Sequence, residues 1–159
     1  ALLLKHGTDL DATNPTGRTP LMIATGGYRS HSDMVMALID HNAPVNSACL
    51  NGWTPLMSAS CHGHTRAAVV LLENGAAVDL QDNAGATALM FAASEGHSDM
   101  VMTLITHNAS VDLADQDGWT PLMLASKNGY ADSAVALLCK AATTDLQNKN
   151  GWIALALAA

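Results

Sequence analysis

The sequence predicts an all-α solenoid, a stack of small helical repeats rather than one globular core. Three observations carry this. Gly52, Gly85, Gly118 and Gly151 stand 33 residues apart, and Trp follows three of them. A fixed period of roughly 20–50 residues is the mark of stacked supersecondary units. Each period also contains helix start signals and, near its end, helix stop signals. The composition suits close stacking: 49% apolar residues, rich in Ala, with only 4% aromatic.

The elements follow in order. Thr19, Thr54, Thr87 and Thr120 open each first helix, their hydroxyls placed to accept backbone N–H bonds. Pro20, Pro55 and Pro121 come next, at the first helical position, where a missing N–H costs nothing. Ser32, Thr65 and Ser98 are placed to cap the second helices, and Ala131 stands where the fourth would have its hydroxyl. The fourth repeat is therefore expected to be the least well capped. The second helices end at Gly7, Asn42, Gly75 and Asn108, residue types that tolerate a left-handed conformation. Ala141 occupies that place in the fourth repeat. The first repeat is two residues longer than the others, and the excess predicts a lengthened turn over Thr25–Ser30. Leu21, Leu56, Leu89 and Leu122 point inward from the first helices, with Val35, Val101, Leu38, Leu71, Leu104 and Leu137 from the second.

The repeated Thr19-Pro20-Leu21-Met22, Thr54-Pro55-Leu56-Met57, Thr87-Ala88-Leu89-Met90 and Thr120-Pro121-Leu122-Met123 resemble the Thr-Pro-Leu-His-x-Ala signature of ankyrin repeats. Met replaces the signature His in all four, and packing is expected to replace its hydrogen bonds. The resemblance implies β-turn plus helix-turn-helix units. It divides the chain into complete repeats at 17–51, 52–84, 85–117 and 118–150, with partial repeats at 1–16 and 151–159. Residue 1 is Ala, which suggests a segment of a longer array.

Charge and cysteine usage bound the function. Seven basic residues against fourteen acidic give a net charge of −7, the opposite of the basic footprint that nucleic-acid binding needs. No apolar run reaches membrane-spanning length. Three scattered cysteines, Cys49, Cys61 and Cys139, show no disulfide framework and point to a reducing cytoplasm or nucleus. Cys61-His62-Gly63-His64 is a local cluster of metal-ligating types, yet no second pair follows at zinc-site spacing. No nucleophile–base constellation or phosphate-binding loop is present, so the expectation is a non-enzymatic chain without a cofactor.

The resemblance implies recognition of a protein or peptide partner in a concave groove, as part of an intracellular scaffold or adaptor. A regulatory domain appended to an enzyme or a membrane channel is the alternative. In such units the loop tip, the residue after the loop Gly and the end of the first helix are free to vary and line the groove. Here that set includes Arg18, Tyr28, Arg29, Trp53, His62, Glu95, Asp117, Trp119, Lys127, Lys149 and Trp152. Trp53, Trp119 and Trp152 share one position, with Ala86 as the missing member. Trp is the residue most enriched among binding hot spots; shielding of the neighbouring loop is the competing role. Arg18, Arg29, Lys127 and Lys149 make the groove less acidic than the rest. The apolar stretch Ala154–Ala159 lacks a following helix and is expected to fray or self-associate, because a repeat buries its apolar face only against a neighbour.

Overall fold

A computed structural model describes residues 9–27 and 31–158. Its first helices are α1 (Pro20–Thr25), α3 (Pro55–Cys61), α5 (Ala88–Ser94) and α7 (Pro121–Lys127). The second helices, each following its partner, are α2 (Ser32–Asp40), α4 (Thr65–Glu73), α6 (Ser98–Thr106) and α8 (Ala131–Leu138), and a short α9 (Ala154–Leu157) closes the described chain. First helices stack on first helices, from α1 through α9, and second helices on second helices, from α2 through α8. The result is two layers with the apolar core between them. Among the described residues there are no strands.

The first helices start as the residue types demand. Thr19, Thr54, Thr87 and Thr120 accept the N–H of Met22, Met57, Met90 and Met123 at 3.2–3.3 Å. Met57 reciprocates, its Sδ accepting the Thr54 N–H at 3.4 Å. These threonines are buried, as are all four methionines. The thioether therefore fills the space beneath each cap by packing. Ala59, Ala92 and Ala125 have no exposed surface, which lets neighbouring first helices approach closely.

The second helices start differently from expectation. Ser32, Thr65 and Ser98 are the first helical residues, and the capping positions belong to His31, His64 and His97, with no side-chain cap bond. The reason lies in the backbone. His64, His97 and Tyr130 have φ near −80° and ψ of 65–79°, the inverse γ-turn conformation. The next N–H thereby bonds two residues back, Thr65 to Gly63, Ser98 to Gly96 and Ala131 to Gly129, at 2.9–3.1 Å. A hydroxyl is unnecessary there, so Ala131 is not a weak cap. Thr25 is also corrected: it is the last residue of α1, fully buried, with its hydroxyl donating to the Leu21 and Met22 carbonyls. Its methyl and hydroxyl are both satisfied inside the helix pair, and the turn begins at Gly26.

The stop signals act through φ. Asn42 and Asn108 lie at +65°, Gly75 at +85° and Ala141 at +60°. After each, the Ala N–H returns to a helix carbonyl, as in Ala109 to Leu104 at 3.0 Å and Ala142 to Leu137 at 3.2 Å. Gly7 lies outside the described residues. Ala pays a steric cost in the left-handed region that Gly avoids. Ala141→Gly is therefore expected to stabilise the array by about 1 kcal/mol, read as a higher urea midpoint. A lower midpoint would mean that residue 141 leaves this conformation in solution.

Candidate functional site

The face formed by the loop tips and the first helices is built from one hydrogen-bonded device used repeatedly. Neighbouring tips are joined by backbone rungs: Leu50 N–H to Thr16, Asn83 to Asn51, Gln116 to Ala84 and Lys149 to Asp117, all at 2.9–3.2 Å. Within four of the five tips the side-chain Oδ1 of an Asn or Asp accepts two amides. Asn14 takes Thr16 and Arg18, Asp82 takes Ala84 and Ala86. Asp115 takes Asp117 and Trp119, and Asn148 takes Asn150 and Trp152, all at 2.8–3.0 Å. The second bond in each pair holds the residue after the loop Gly. Trp119 and Trp152 are thus fixed at their backbone.

The second tip breaks the pattern. Cys49 stands at the place of Asn14, Asp82, Asp115 and Asn148, and among the described residues no acceptor meets the N–H of Asn51 or Trp53. The signal lies in the register, one polar acceptor per period with Cys49 as the exception. Cys49→Asn supplies the missing oxygen to two amides. It is expected to raise stability by about 1 kcal/mol, since each new bond replaces one to water. No change in the urea midpoint would show that this tip is already satisfied by solvent.

The structure places the tryptophans in three different settings. The Trp53 ring lies 4.5 Å from that of Phe91, tilted by 52°, an attractive aromatic geometry. Phe91, on α5, was not among the expected residues; its pattern position looks like any helix residue, and only packing brings it to Trp53. Trp119 is half-buried and carries the Lys127 ammonium 4.7 Å above its ring, a cation–π contact. Trp152 is 48% exposed. Trp53 and Trp119 both pack against the core.

The charged residues are largely engaged. Arg18 is half-buried, its guanidinium donating to Ser58 Oγ at 3.1 Å and to the Met22 carbonyl at 3.5 Å. Lys149 and Asp117 pair across adjacent tips at 3.8 Å, both well exposed, so the pair contributes little to stability. Glu95 is exposed at the end of α5. Tyr28 and Arg29 lie outside the described residues. A solvent-open cavity of about 390 Å³ sits between the first two tips, lined by Pro15, Thr16, Arg18, Cys49, Leu50, Asn51 and Trp53.

His62, His64 and His97 are tied to backbone. His62 Nδ1 donates to the Ser58 carbonyl at 2.8 Å, and its ring stacks on His64 at 5.7 Å. The Nε2 groups of His64 and His97 donate to the preceding repeat, to Gly27 at 2.7 Å and Cys61 at 3.2 Å. Burial, and then the Glu95 charge, push the Cys61 thiol above its ordinary pKa, so it holds less nucleophilic thiolate at neutral pH. Among the described residues no three His, Cys, Asp or Glu gather where they could hold a metal ion. What this face offers is aromatic surface, amide edges and a few placed charges, the chemistry of recognition.

Comparison with known proteins agrees with this architecture. A family model for ankyrin repeats, spanning three copies, matches residues 1–82 and again 69–150. No curated protein matches the chain. Ankyrin repeats are generally modules of protein–protein interaction and are typically non-catalytic. Among the described residues no helix is long and apolar enough to cross a membrane. The match covers nearly the whole chain and the all-helical stack agrees with it: the protein belongs to the ankyrin-repeat family.

Proposed function

We propose that the face of loop tips and first helices binds an extended or helical segment of a protein partner. The chain acts there as one part of an intracellular scaffold or adaptor, without cofactor or nucleic acid, and its array divides at 17–51, 52–84, 85–117 and 118–150. The observation that carries this is a row of partly exposed aromatic rings, Trp53 packed on Phe91, Trp119 under Lys127, and Trp152. Large rings held by neighbouring side chains, as Trp53 and Trp119 are, lose little entropy on binding, and such residues dominate the energy of known interfaces. Lys127 above the Trp119 ring favours an acidic residue at that end of the partner segment. At this same end of the array, Leu138 and Leu155 remain exposed around a cavity of about 330 Å³, which supports self-association there in the isolated chain.

The test is a footprint. The chain captures a partner from cell extract, the complex is isolated, and amide exchange is compared with that of the free chain. Slowed exchange at the tips around residues 50–53, 83–86, 116–119 and 149–152 is expected. A footprint confined to the second helices would sink this assignment.

A further inference from the structure

The outward side of the second helices carries a second pattern. Residues at i, i+3 and i+7 of a helix share one face. The middle position of that face is apolar in every second helix: Met36, Val69, Met102 and Val135. Met36 is 41% exposed, Met102 40% and Val135 57%, and Val69 is partly buried. None of the four belongs to the core, which the same helices fill with Val35, Leu71, Leu104 and Leu137. Because α2, α4, α6 and α8 lie side by side, the four side chains form one line across the stack. A scattered exposed apolar residue needs no explanation, but a contiguous line does.

The line has an acidic border. Asp33, Asp40, Glu73, Asp99 and Asp132 flank it on the same helices and are exposed. The cation within these helices is Arg66, already 3.7 Å from Asp33. This face therefore sets five exposed carboxylates against one paired cation.

We propose that this face is a second docking surface, for a basic amphipathic helix of a protein partner laid across the second helices. Charge complementarity selects the occupant: the acidic border favours Lys and Arg, repels anionic lipid, and repels the same face of a second copy. Geometry selects the form. Packed helices lie roughly 8–10 Å apart, and every seventh residue of a helix advances about 10.5 Å. One apolar residue per heptad of the partner thus meets each of the four side chains, over a helix of about 20 residues.

The probe is a synthetic helical peptide of that length, with Leu at every seventh position and Lys beside it, compared with the same peptide carrying Glu for Lys. The Lys peptide is expected to bind at least about tenfold more tightly. A double variant, Met102→Gln with Val135→Gln, is expected to weaken it about tenfold, because two exposed apolar anchors are lost. Trp119→Ala is expected to leave its affinity unchanged, which separates this surface from the loop-tip face. Binding that ignores the double substitution, or a peptide footprint on the loop tips, overturns the proposal. So does self-association, or binding to phosphatidylcholine–phosphatidylserine vesicles, that the same substitutions abolish. If the double variant fails to fold, the exchange footprint on the unaltered chain decides: protection over 99–106 and 132–138 supports the surface, and its absence there overturns it.

Discussion

Gly52→Ala is expected to destabilise the array by about 3 kcal/mol or more, while Gly75→Ala costs only about 1 kcal/mol. Both residues sit in the left-handed region, at φ +81° and +85°, so the backbone strain of an added Cβ is nearly the same. What differs is the space. A Cβ at Gly52 would lie 2.7 Å from the Asn83 backbone N and 3.0 Å from Asp82 Cα. These are main-chain atoms of the next tip and cannot swing aside. Moving them breaks the rung from Asn83 N–H to Asn51 and the bond from the Asn83 side chain to the Leu50 carbonyl. At Gly75 a Cβ would meet nothing within 4 Å. Each repeat contacts only its neighbours, so the loss should concentrate at one junction. Urea unfolding measures the totals, and amide exchange at residues 50–53 and 83–86 locates them. Equal losses at the two glycines would show that the tips separate freely.

Trp119→Ala is expected to weaken partner binding by at least about 2 kcal/mol, roughly a 30-fold rise in Kd. The ring is half-buried, stands on the core and holds the Lys127 ammonium above it. Truncation therefore removes both a large apolar contact and a positioned cation. The loop itself should persist, because Asp115 still accepts the amide of residue 119. Folding should lose about 1 kcal/mol from the part of the ring against the core, far short of unfolding. The measurement is titration of the captured partner against the variant, alongside its melting curve. If α7 and α8 unfold, or if affinity stays level, the tryptophans serve as covers for neighbouring tips and the loop-tip assignment falls.

Much of the architecture was legible from the period. A 33-residue repeat fixes which residues are equivalent, and equivalence carries the core: the four Leu of the first helices and the four of the second are all buried. The Thr caps were legible because a hydroxyl three residues before an N–H is a local geometry. The left-handed helix ends were legible for the same reason, Ala141 included. The starts of the second helices were misassigned because an inverse γ-turn leaves no residue-type signature: His64 and Tyr130 adopt it alike.

The candidate site was legible only as a set of positions. Sequence placed Trp53, Trp119 and Trp152 in one row, but their separate surroundings come from side chains 8 or 38 residues away, Lys127 on Trp119 and Phe91 on Trp53. Sequence places Arg18 among the groove bases, and packing engages it with Ser58, 40 residues on. By itself, then, the amino-acid order determined the repeat, the helix pairs and their inward faces. Those depend on local backbone preference and periodic burial, which nearby residues specify. Only the stack decided which rings are held, which charges are engaged and where an apolar line runs on through an acidic face. Those depend on distances between neighbouring repeats, which no single repeat contains.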